Sequence, residues 1–240
     1  DESINGEQRF CLWIREEEKD AAVLVPAIVE RLERVRAMRK ESPKGLTKNG
    51  ANTPWAFQQV RQSGDEIPIV IPRHSSESRR YLPVSIFEQG TIIADGAFAL
   101  FDASNWNFSI LVSRIHLVWI AAVCGKLETR YRYSSTLGWN TFPVPPLTDK
   151  NKADLAHCAE DILLAREAHF PATIADLYEP DKMPEDLRHA HERNDEVLER
   201  IYIGRRFKND TERLEKLFDL YTKMTASTPA VAKGKRKARA

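Results

Sequence analysis

The pattern of apolar residues changes twice along this chain, and each change restricts the folds that its 240 residues can adopt. From about residue 49 to 147, short β-rich runs alternate with turn residues, which is typical of small strands. On either side, apolar residues recur every three or four positions, which is typical of helices with one buried face. The sequence therefore predicts an α+β fold, in which a mixed α/β domain over residues 49–148 precedes a helical domain over residues 149–223.

Short runs rich in β-branched and aromatic residues mark the strands of the middle segment. The runs are residues 67–71, 81–86, 91–93 and 98–101. The pair Asp95-Gly96 lies between the last two runs, and Asp-Gly is a strong hairpin signal. We therefore expect a turn at Asp95 that leads into a strand.

The first half of the chain also contains helical segments. Residues 20–39 predict a long helix, although Pro26 inside it indicates either a kink or a later helix start. Residues 105–123 predict one or two helices that are broken near Ser113. The apolar run over residues 9–14 is too short for a helix and predicts a strand.

The C-terminal part predicts three helices and a tail. One helix ends near residue 169, a second covers residues 184–202, and a third covers residues 210–221. Residues 224–240 are rich in Ala, Lys, Arg and Thr and bury little surface, so they predict a disordered basic tail.

Composition excludes several classes of protein. Apolar residues make up 42% of the chain, which indicates a protein that folds around a core. No run of 18 apolar residues is present, so we expect no membrane span. Three widely spaced cysteines without a CxxC pair argue against a zinc site or a disulfide framework and favour a cytoplasmic protein. The first residues lack a Met and a secretory signal, so we expect a piece of a longer protein.

Charge is distributed unevenly, although the formal net charge is only +1. Residues 43–148 carry 10 basic and 7 acidic groups, and residues 231–240 carry 5 basic groups and no acidic group. The remaining segments are net negative. Only the middle segment and the tail therefore suit a polyanionic partner by sign.

Motifs of common catalytic and metal sites are absent from the sequence. There is no P-loop, GxGxxG, GxSxG or HExxH motif. Glu17-Glu18-Lys19 fits the loose ExK pattern of metal nucleases, but solvated charge is the expected role at an acidic helix start. The six histidines form no ligand-like cluster, and we expect them at the surface. We predict no catalytic residue and no metal site.

The remaining chemical signal is an alternating segment over residues 127–133, which predicts a strand with Glu128, Arg130 and Arg132 on its exposed face. Leu127, Thr129, Tyr131 and Tyr133 are then expected on the packed face. Arginine can donate two hydrogen bonds to guanine, and a carboxylate can accept one from cytosine N4. A ladder of solvated ion pairs explains the same row of charges, and spacing alone does not exclude it. Four tryptophans are expected in the core rather than as base-stacking platforms: Trp55, Trp106, Trp119 and Trp139.

Three stretches of the sequence carry a family resemblance. The segment 109–125 is followed by Lys-Leu-Glu-Thr-Arg-Tyr-Arg-Tyr-Ser134 and then by Trp139-Asn-Thr-Phe-Pro-Val-Pro145. Together with segments 181–191 and 205–210, they resemble MmeI-like enzymes, which are type IIL (IIG-type) restriction-modification proteins, and related class I adenine-specific DNA methyltransferases. The resemblance covers roughly residues 9–223.

The resemblance implies a division of the chain. Residues 1–48 would be the end of a methyltransferase domain and a linker helix, 49–148 a target recognition domain, 149–223 a helical C-terminal domain, and 224–240 a basic tail. The FxGxG and NPPY motifs of the family are missing here. We therefore expect this chain to bind no cofactor, while S-adenosylmethionine serves the parent enzyme, which flips and methylates an adenine.

The resemblance also implies site residues. The family's base-reading positions correspond to Glu128, Arg130 and Arg132, and to Asp95 in the turn. Phosphate contacts are expected from Arg73, Arg79, Arg80 and Lys126, and also from Lys44 or Lys48. The implied partners are double-stranded DNA and the methyltransferase domain of the same polypeptide. The target sequence varies within the family and is not implied.

Two other functions stay open. The chain could be a helical protein-interaction fragment with a β insert that docks only within its own enzyme. It could also be a stand-alone nuclease that uses its acidic N-terminal helix. FxGxG and NPPY motifs encoded immediately upstream of Asp1 would favour the DNA-reading function over both.

Overall fold

The computed structural model describes residues 5–7 and 9–226, and it divides the chain into two compact units. The smaller unit is Gln8–Asp65, and the larger unit comprises Asp1–Glu7 and Glu66–Ala240. The predicted α+β fold is confirmed, because antiparallel sheets and packed helices both occur in the larger unit.

The smaller unit is helical. Its helices are α1 (Lys19–Ala22), α2 (Pro26–Glu41) and α3 (Gly45–Asn49). Pro26 occupies the first turn of α2, where its missing N–H has no partner to lose, so the later helix start is confirmed. The guanidinium of Arg39 then donates to the carbonyl oxygens of Gly50, Thr53 and Ala56 at 2.8–2.9 Å and fixes the chain that follows.

Two predictions in this unit have different outcomes. The strand predicted over residues 9–14 is wrong, because this run pairs with no other strand in the described part of the chain and Phe10 is 91% exposed. The solvated role of the Glu17-Glu18-Lys19 segment is supported. Glu18 accepts a hydrogen bond from the Arg15 backbone N–H at 2.9 Å, and Lys19 forms an exposed ion pair with Glu16.

The larger unit begins with short antiparallel strands in two three-stranded sheets. The strands are β1 (Pro68–Pro72), β2 (His74–Ser75), β3 (Ser85–Ile86), β4 (Ala97–Phe101), β5 (Lys126–Leu127) and β6 (Arg130–Arg132). One sheet has the order β3-β1-β4, and the other has the order β2-β6-β5. The run over residues 91–93 forms no strand, and only the end of the run over 81–86 pairs.

Two helices lie between the strands, α4 (Asn105–Leu111) and α5 (Arg114–Val123). The predicted break near Ser113 is confirmed: its hydroxyl accepts from the N–H of His116 at 3.2 Å and caps α5. Among the described residues, no single helix is long and apolar enough to cross a membrane. Helices α4 and α5 have the length and apolar composition of a membrane span only when they are taken together, and the pair is bent by 58°.

The C-terminal half is a set of four helices, α6 (Asp149–Glu167), α7 (Ile174–Leu177), α8 (Glu185–Ile203) and α9 (Asp210–Ala226). Gly204 ends α8 in the left-handed conformation that glycine adopts without steric cost. Helix α9 runs through residues 224–226, where the tail was expected to begin. The rest of the predicted basic tail lies outside the described residues.

One core connects the strands with the C-terminal helices. It contains side chains from Ile69 in β1 to Leu217 in α9, and it includes Trp119. The Trp119 ring packs against Phe218 and Tyr221 of α9 at centroid distances of 5.3 and 5.6 Å. Trp106 and Trp139 pack against the same core, so the expected role of these three tryptophans is confirmed.

Buried polar contacts also link the two halves. The Tyr81 hydroxyl donates to Oδ2 of Asp195 at 3.0 Å, and the Arg114 backbone N–H donates to its Oδ1 at 2.7 Å. Arg166 donates to the carbonyl oxygen of Val84 at 2.8 Å. Because a buried polar group that loses its partner is costly, these contacts fix the strands on the helices.

Candidate nucleic-acid interface

Strands β5 and β6 form a hairpin, whereas a single strand over residues 127–133 was predicted. Leu127 lies opposite Arg130 and Lys126 lies opposite Tyr131, so Glu128 and Thr129 are the two turn residues. Glu128 has a φ of +58°, which side chains other than glycine rarely adopt. The prediction of one continuous strand is therefore wrong, and Glu128 stands at the hairpin tip.

The pairing register determines which side chains share a face. Residues directly opposite each other in an antiparallel pair point to the same side of the sheet. Arg130 and Arg132 therefore share a face with Leu127, and also with His74, the partner of Arg132 on β2. We call these four residues the arginine face. Leu127 was predicted on the packed side, but it is 42% exposed on this face.

The opposite face of the hairpin packs on the protein. It carries Lys126, Tyr131 and Ser75 by the same register, and Tyr133 follows on that side. Ser75 and Tyr133 are buried, and Tyr131 is half-buried. The ammonium group of Lys126 lies 5.9 Å from the centroid of the Tyr131 ring. Lys126 therefore lies behind the arginine face, although it was grouped with the phosphate contacts.

Arg73 brings the predicted turn beside the hairpin. Its backbone N–H donates to the carbonyl oxygen of Gly96 at 3.3 Å, and its own carbonyl oxygen accepts from the N–H of Tyr133 at 2.8 Å. The exposed Asp95 precedes Gly96 in a turn that leads directly into β4. The Asp95-Gly96 turn and the hairpin, which are the two segments predicted to read bases, therefore lie on either side of Arg73.

The hairpin tip carries an exposed ion pair. Nη2 of Arg130 donates to Oε2 of Glu128 at 2.9 Å, with side-chain exposures of 49% and 75%. A ladder of ion pairs was the alternative explanation for this row of charges. The contact is one such ion pair, but it joins only Glu128 and Arg130 and does not include Arg132. An exposed pair contributes about 0–1 kcal/mol, so both side chains can exchange it for another partner. Within the described chain, no carboxylate forms an ion pair with Arg132.

Positive potential is concentrated around His74. Burial lowers the pKa of His74, and the nearby charges of Arg132, Arg130 and Arg73 lower it further. Glu77 offsets part of this charge. A hydrogen bond from Thr129 lowers the pKa of the Glu77 carboxyl, with smaller contributions from Lys126 and Arg130.

The proposed phosphate contacts have different surroundings. Arg73 lies over the Phe98 ring, with its guanidinium carbon 5.4 Å from the ring centroid. Arg80 forms an ion pair with Glu192 of α8 at 3.3 Å. Burial lowers the pKa of Arg79, and the charge of Glu179 partly offsets that effect. Arg79 and Arg80 therefore face acidic residues of the C-terminal half, while Lys44 and Lys48 belong to the smaller unit.

Two histidines expected at the surface are fully buried instead. Nε2 of His116 lies 3.1 Å from the Tyr133 hydroxyl, directly behind the hairpin, and burial lowers the pKa of His116 to about 3. Nε2 of His191 lies 2.6 Å from the Tyr178 hydroxyl. Both imidazoles are neutral core groups. Among the described residues, no cluster of three metal-ligating side chains occurs.

Sequence reasoning missed two members of the arginine face, His74 and Leu127. The position of His74 depends on the pairing of β2 with β6, which are far apart in the sequence. The position of Leu127 depends on the two-residue turn, and Glu128-Thr129 lacks the Gly or Asn that signals such turns. No local pattern identifies either residue.

This chain is similar to known proteins in sequence and in fold. Residues 1–146 match the family model "MmeI, target recognition domain", and residues 147–228 match "MmeI, C-terminal domain". DNA methyltransferase A of Bacillus subtilis (strain 168) is 39% identical over 224 residues. These residues are 93% of this chain but only 25% of that protein.

A solved structure is similar in fold. It is a structure of the type IIL restriction-modification enzyme MmeI in complex with DNA, with a TM-score of 0.88 and 32% sequence identity. The match covers 94% of this chain and 30% of that chain. This chain therefore spans about a quarter to a third of the length of the relatives that it matches.

Proposed function

Because this chain belongs to the MmeI family, of which it comprises a target recognition domain and a C-terminal domain, we propose that it selects the DNA sequence on which a linked adenine methyltransferase acts. The observation that carries this proposal is the position of Arg73. Its backbone is hydrogen-bonded to Gly96 on one side and to Tyr133, the residue after β6, on the other, so the Asp95-Gly96 turn lies beside the sheet that carries Arg130 and Arg132.

The side chains on that edge suit base recognition in the major groove. Arg130 and Arg132 each offer a fork of donors that matches N7 and O6 of guanine. The carboxylates of Glu128 and Asp95 can accept a hydrogen bond from N4 of cytosine. A two-stranded ribbon fits into the major groove, and the hairpin β5-β6 has that form.

Contacts to phosphate would position this edge without reading sequence. Arg73 is the best placed of the four proposed phosphate contacts, because it lies next to the arginine face. Arg79, Arg80 and Lys126 would have to leave, or share, the contacts that they make within the protein. We therefore expect few phosphate contacts from this chain alone.

Catalysis would belong to another part of the polypeptide. The chain lacks FxGxG and NPPY motifs and matches only a quarter of a DNA methyltransferase. A methyltransferase domain of the same polypeptide would bind S-adenosylmethionine and extrude the target adenine. A cytoplasmic location in a bacterial cell is consistent with this role and is part of the proposal.

The test is DNA binding by the chain itself. We expect weak binding to mixed duplex DNA, with a Kd of about 10⁻⁴–10⁻⁶ M at physiological salt, that weakens further as salt is raised. Selection from a randomised duplex library should enrich one motif when the complete polypeptide is used. Absence of duplex binding at every salt concentration would contradict the proposal and favour the protein-interaction alternative.

A second measurement addresses the chain's own catalytic capacity. With labelled S-adenosylmethionine and mixed duplex DNA, we expect no label transfer by the isolated chain. Transfer that depends on this chain alone would show that the division between reading and catalysis is wrong.

A further inference from the structure

His74 lies on the outer strand β2 of the sheet, at the edge of the arginine face and beside the central strand β6 that carries both arginines. It lies directly opposite Arg132 in the β2-β6 pair, and its neighbour Arg73 connects β1 with β2. The His74 side chain is half-buried, so part of the ring is open to a ligand. In the same strand Ser75 points the other way and is buried. The alternation along β2 therefore presents the imidazole on the arginine face.

The groups that face His74 are mainly cations. Arg132 and Arg130 approach from β6, and Arg73 precedes His74 on its own strand segment. The remaining residue of the face, Leu127 on β5, is uncharged. The two carboxylates of the hairpin region are bound elsewhere: Glu77 by Thr129 and Glu128 by Arg130. A proton on His74 is therefore opposed by three neighbouring charges in the free protein.

We propose, on the basis of the proposed function, that His74 is a further DNA contact on the arginine face and that its imidazole takes up a proton when duplex DNA binds. The negative charge of the DNA phosphates, in contact with Arg73 and close to the two base-reading arginines, offsets the repulsion that disfavours the protonated ring. The burial and the arginine charges that lower the pKa of His74 in the free protein are then opposed by the phosphate charge. The bound state holds one more proton than the free state, so affinity rises as pH falls.

The first experiment measures the Kd for one short duplex between pH 8 and pH 5.5 at constant ionic strength. A single linked proton gives a change of up to about tenfold in Kd per pH unit between the free and bound pKa values. We expect His74→Gln to bind at pH 8 and to lose most of this slope. The matched control is His189→Gln, whose side chain is 62% exposed on α8, and it should keep the slope of the unsubstituted chain.

The second experiment follows the His74 ring directly by NMR in the unsubstituted chain, so it does not depend on a variant that folds. We expect the pKa of His74 to rise when duplex DNA is added. An unchanged His74 pKa, or an unchanged slope in His74→Gln, would overturn the inference while DNA binding itself remained. Absence of DNA binding at every pH would instead contradict the proposed function.

Discussion

Nε2 of His116 and the hydroxyl of Tyr133 lie 3.1 Å apart in the core, and this pair joins helix α5 to the residue that follows strand β6. Both side chains are buried, and Nδ1 of His116 has no hydrogen-bond partner among the described residues. The pair is therefore the polar anchor that connects the arginine face with the core behind it.

Removing the Tyr133 hydroxyl should weaken this anchor. Tyr133→Phe leaves Nε2 of His116 without a partner in the core, and we expect the free energy of unfolding to fall by about 1–3 kcal/mol. Urea denaturation provides the measurement. Tyr221→Phe removes a hydroxyl from a half-buried ring on α9 and should cost less. Equal losses in the two variants would contradict a special role for the pair.

Stability should depend on pH through the buried histidines. Burial lowers the pKa of His116 to about 3 and that of His191 well below its usual value. The unfolded chain takes up protons near pH 6.5 that the folded chain cannot bind, so these groups reduce stability as pH falls below about 6.5. Asp195 acts in the opposite direction, because burial raises its pKa to about 6 and its contribution falls as pH rises towards that value.

A variant separates the histidine contribution from the others. Glutamine cannot be protonated, so His116→Gln should show a smaller loss of stability between pH 7 and pH 5 than the unsubstituted chain. The urea midpoint at each pH measures this loss. The exposed His157 on α6 is the control, and His157→Gln should retain the full loss. If His116→Gln also retains it, the buried imidazole does not contribute as described.

The hairpin tip should tolerate glycine at one turn position and not at the other. Glu128 has a positive φ, which costs about 1–2 kcal/mol in residues with a Cβ, so Glu128→Gly should preserve or raise the stability. Thr129 does not share that conformation and its side chain bonds Glu77, so Thr129→Gly should lower stability through the lost hydrogen bond and the added freedom of the unfolded chain. Thermal or urea unfolding of the two variants gives the comparison. Greater destabilisation by Glu128→Gly would show that the turn is not strained.

Substitution of a base-reading residue should change the preferred DNA sequence, whereas substitution of a phosphate contact should change the affinity for every sequence. An arginine that donates two hydrogen bonds to guanine discriminates by about 1–3 kcal/mol at one base pair. Arg130→Ala or Glu128→Lys should therefore relax or change the preferred base at one position of the selected motif. Arg79→Ala or Arg80→Ala should weaken binding similarly on every sequence.

Sequencing of library-selected duplexes, or a map of methylated sites for the complete polypeptide, distinguishes these results. Arg132→Ala belongs with the base readers and should affect a different position from Arg130→Ala. Retention of the unsubstituted motif at all positions in Arg130→Ala and Glu128→Lys would assign the hairpin charges to a surface ion pair.

Local signals predicted the parts of this fold that depend on neighbouring residues. Pro26 marks the start of α2, and Ser113 marks the break between α4 and α5. The Asp95-Gly96 turn leads into β4, as its sequence indicates. Each of these features follows from a cap, a missing N–H or a flexible glycine within a few residues.

Long-range pairing decided the remaining features, and no local pattern encodes it. Alternation over residues 127–133 suits a single strand, but the pairing of Leu127 with Arg130 reverses the chain at Glu128. Burial of His116 and His191 depends on aromatic partners in other elements, so the local sequence around each histidine did not predict it. Alternation indicated Glu128, Arg130 and Arg132, and the family resemblance supported them and added Asp95; the roles of these residues stay predictions.

Because one core continues from β1 to α9, it determines which segments of the chain can be exchanged between related proteins. A cut at the boundary between the two matched family models would separate Trp119 from Phe218 and Tyr221, and Tyr81 from Asp195. The recognition half would then present an apolar surface and unpaired polar groups to water. The natural cassette for grafting a new specificity is therefore the recognition half together with its helices, or the hairpin tip alone.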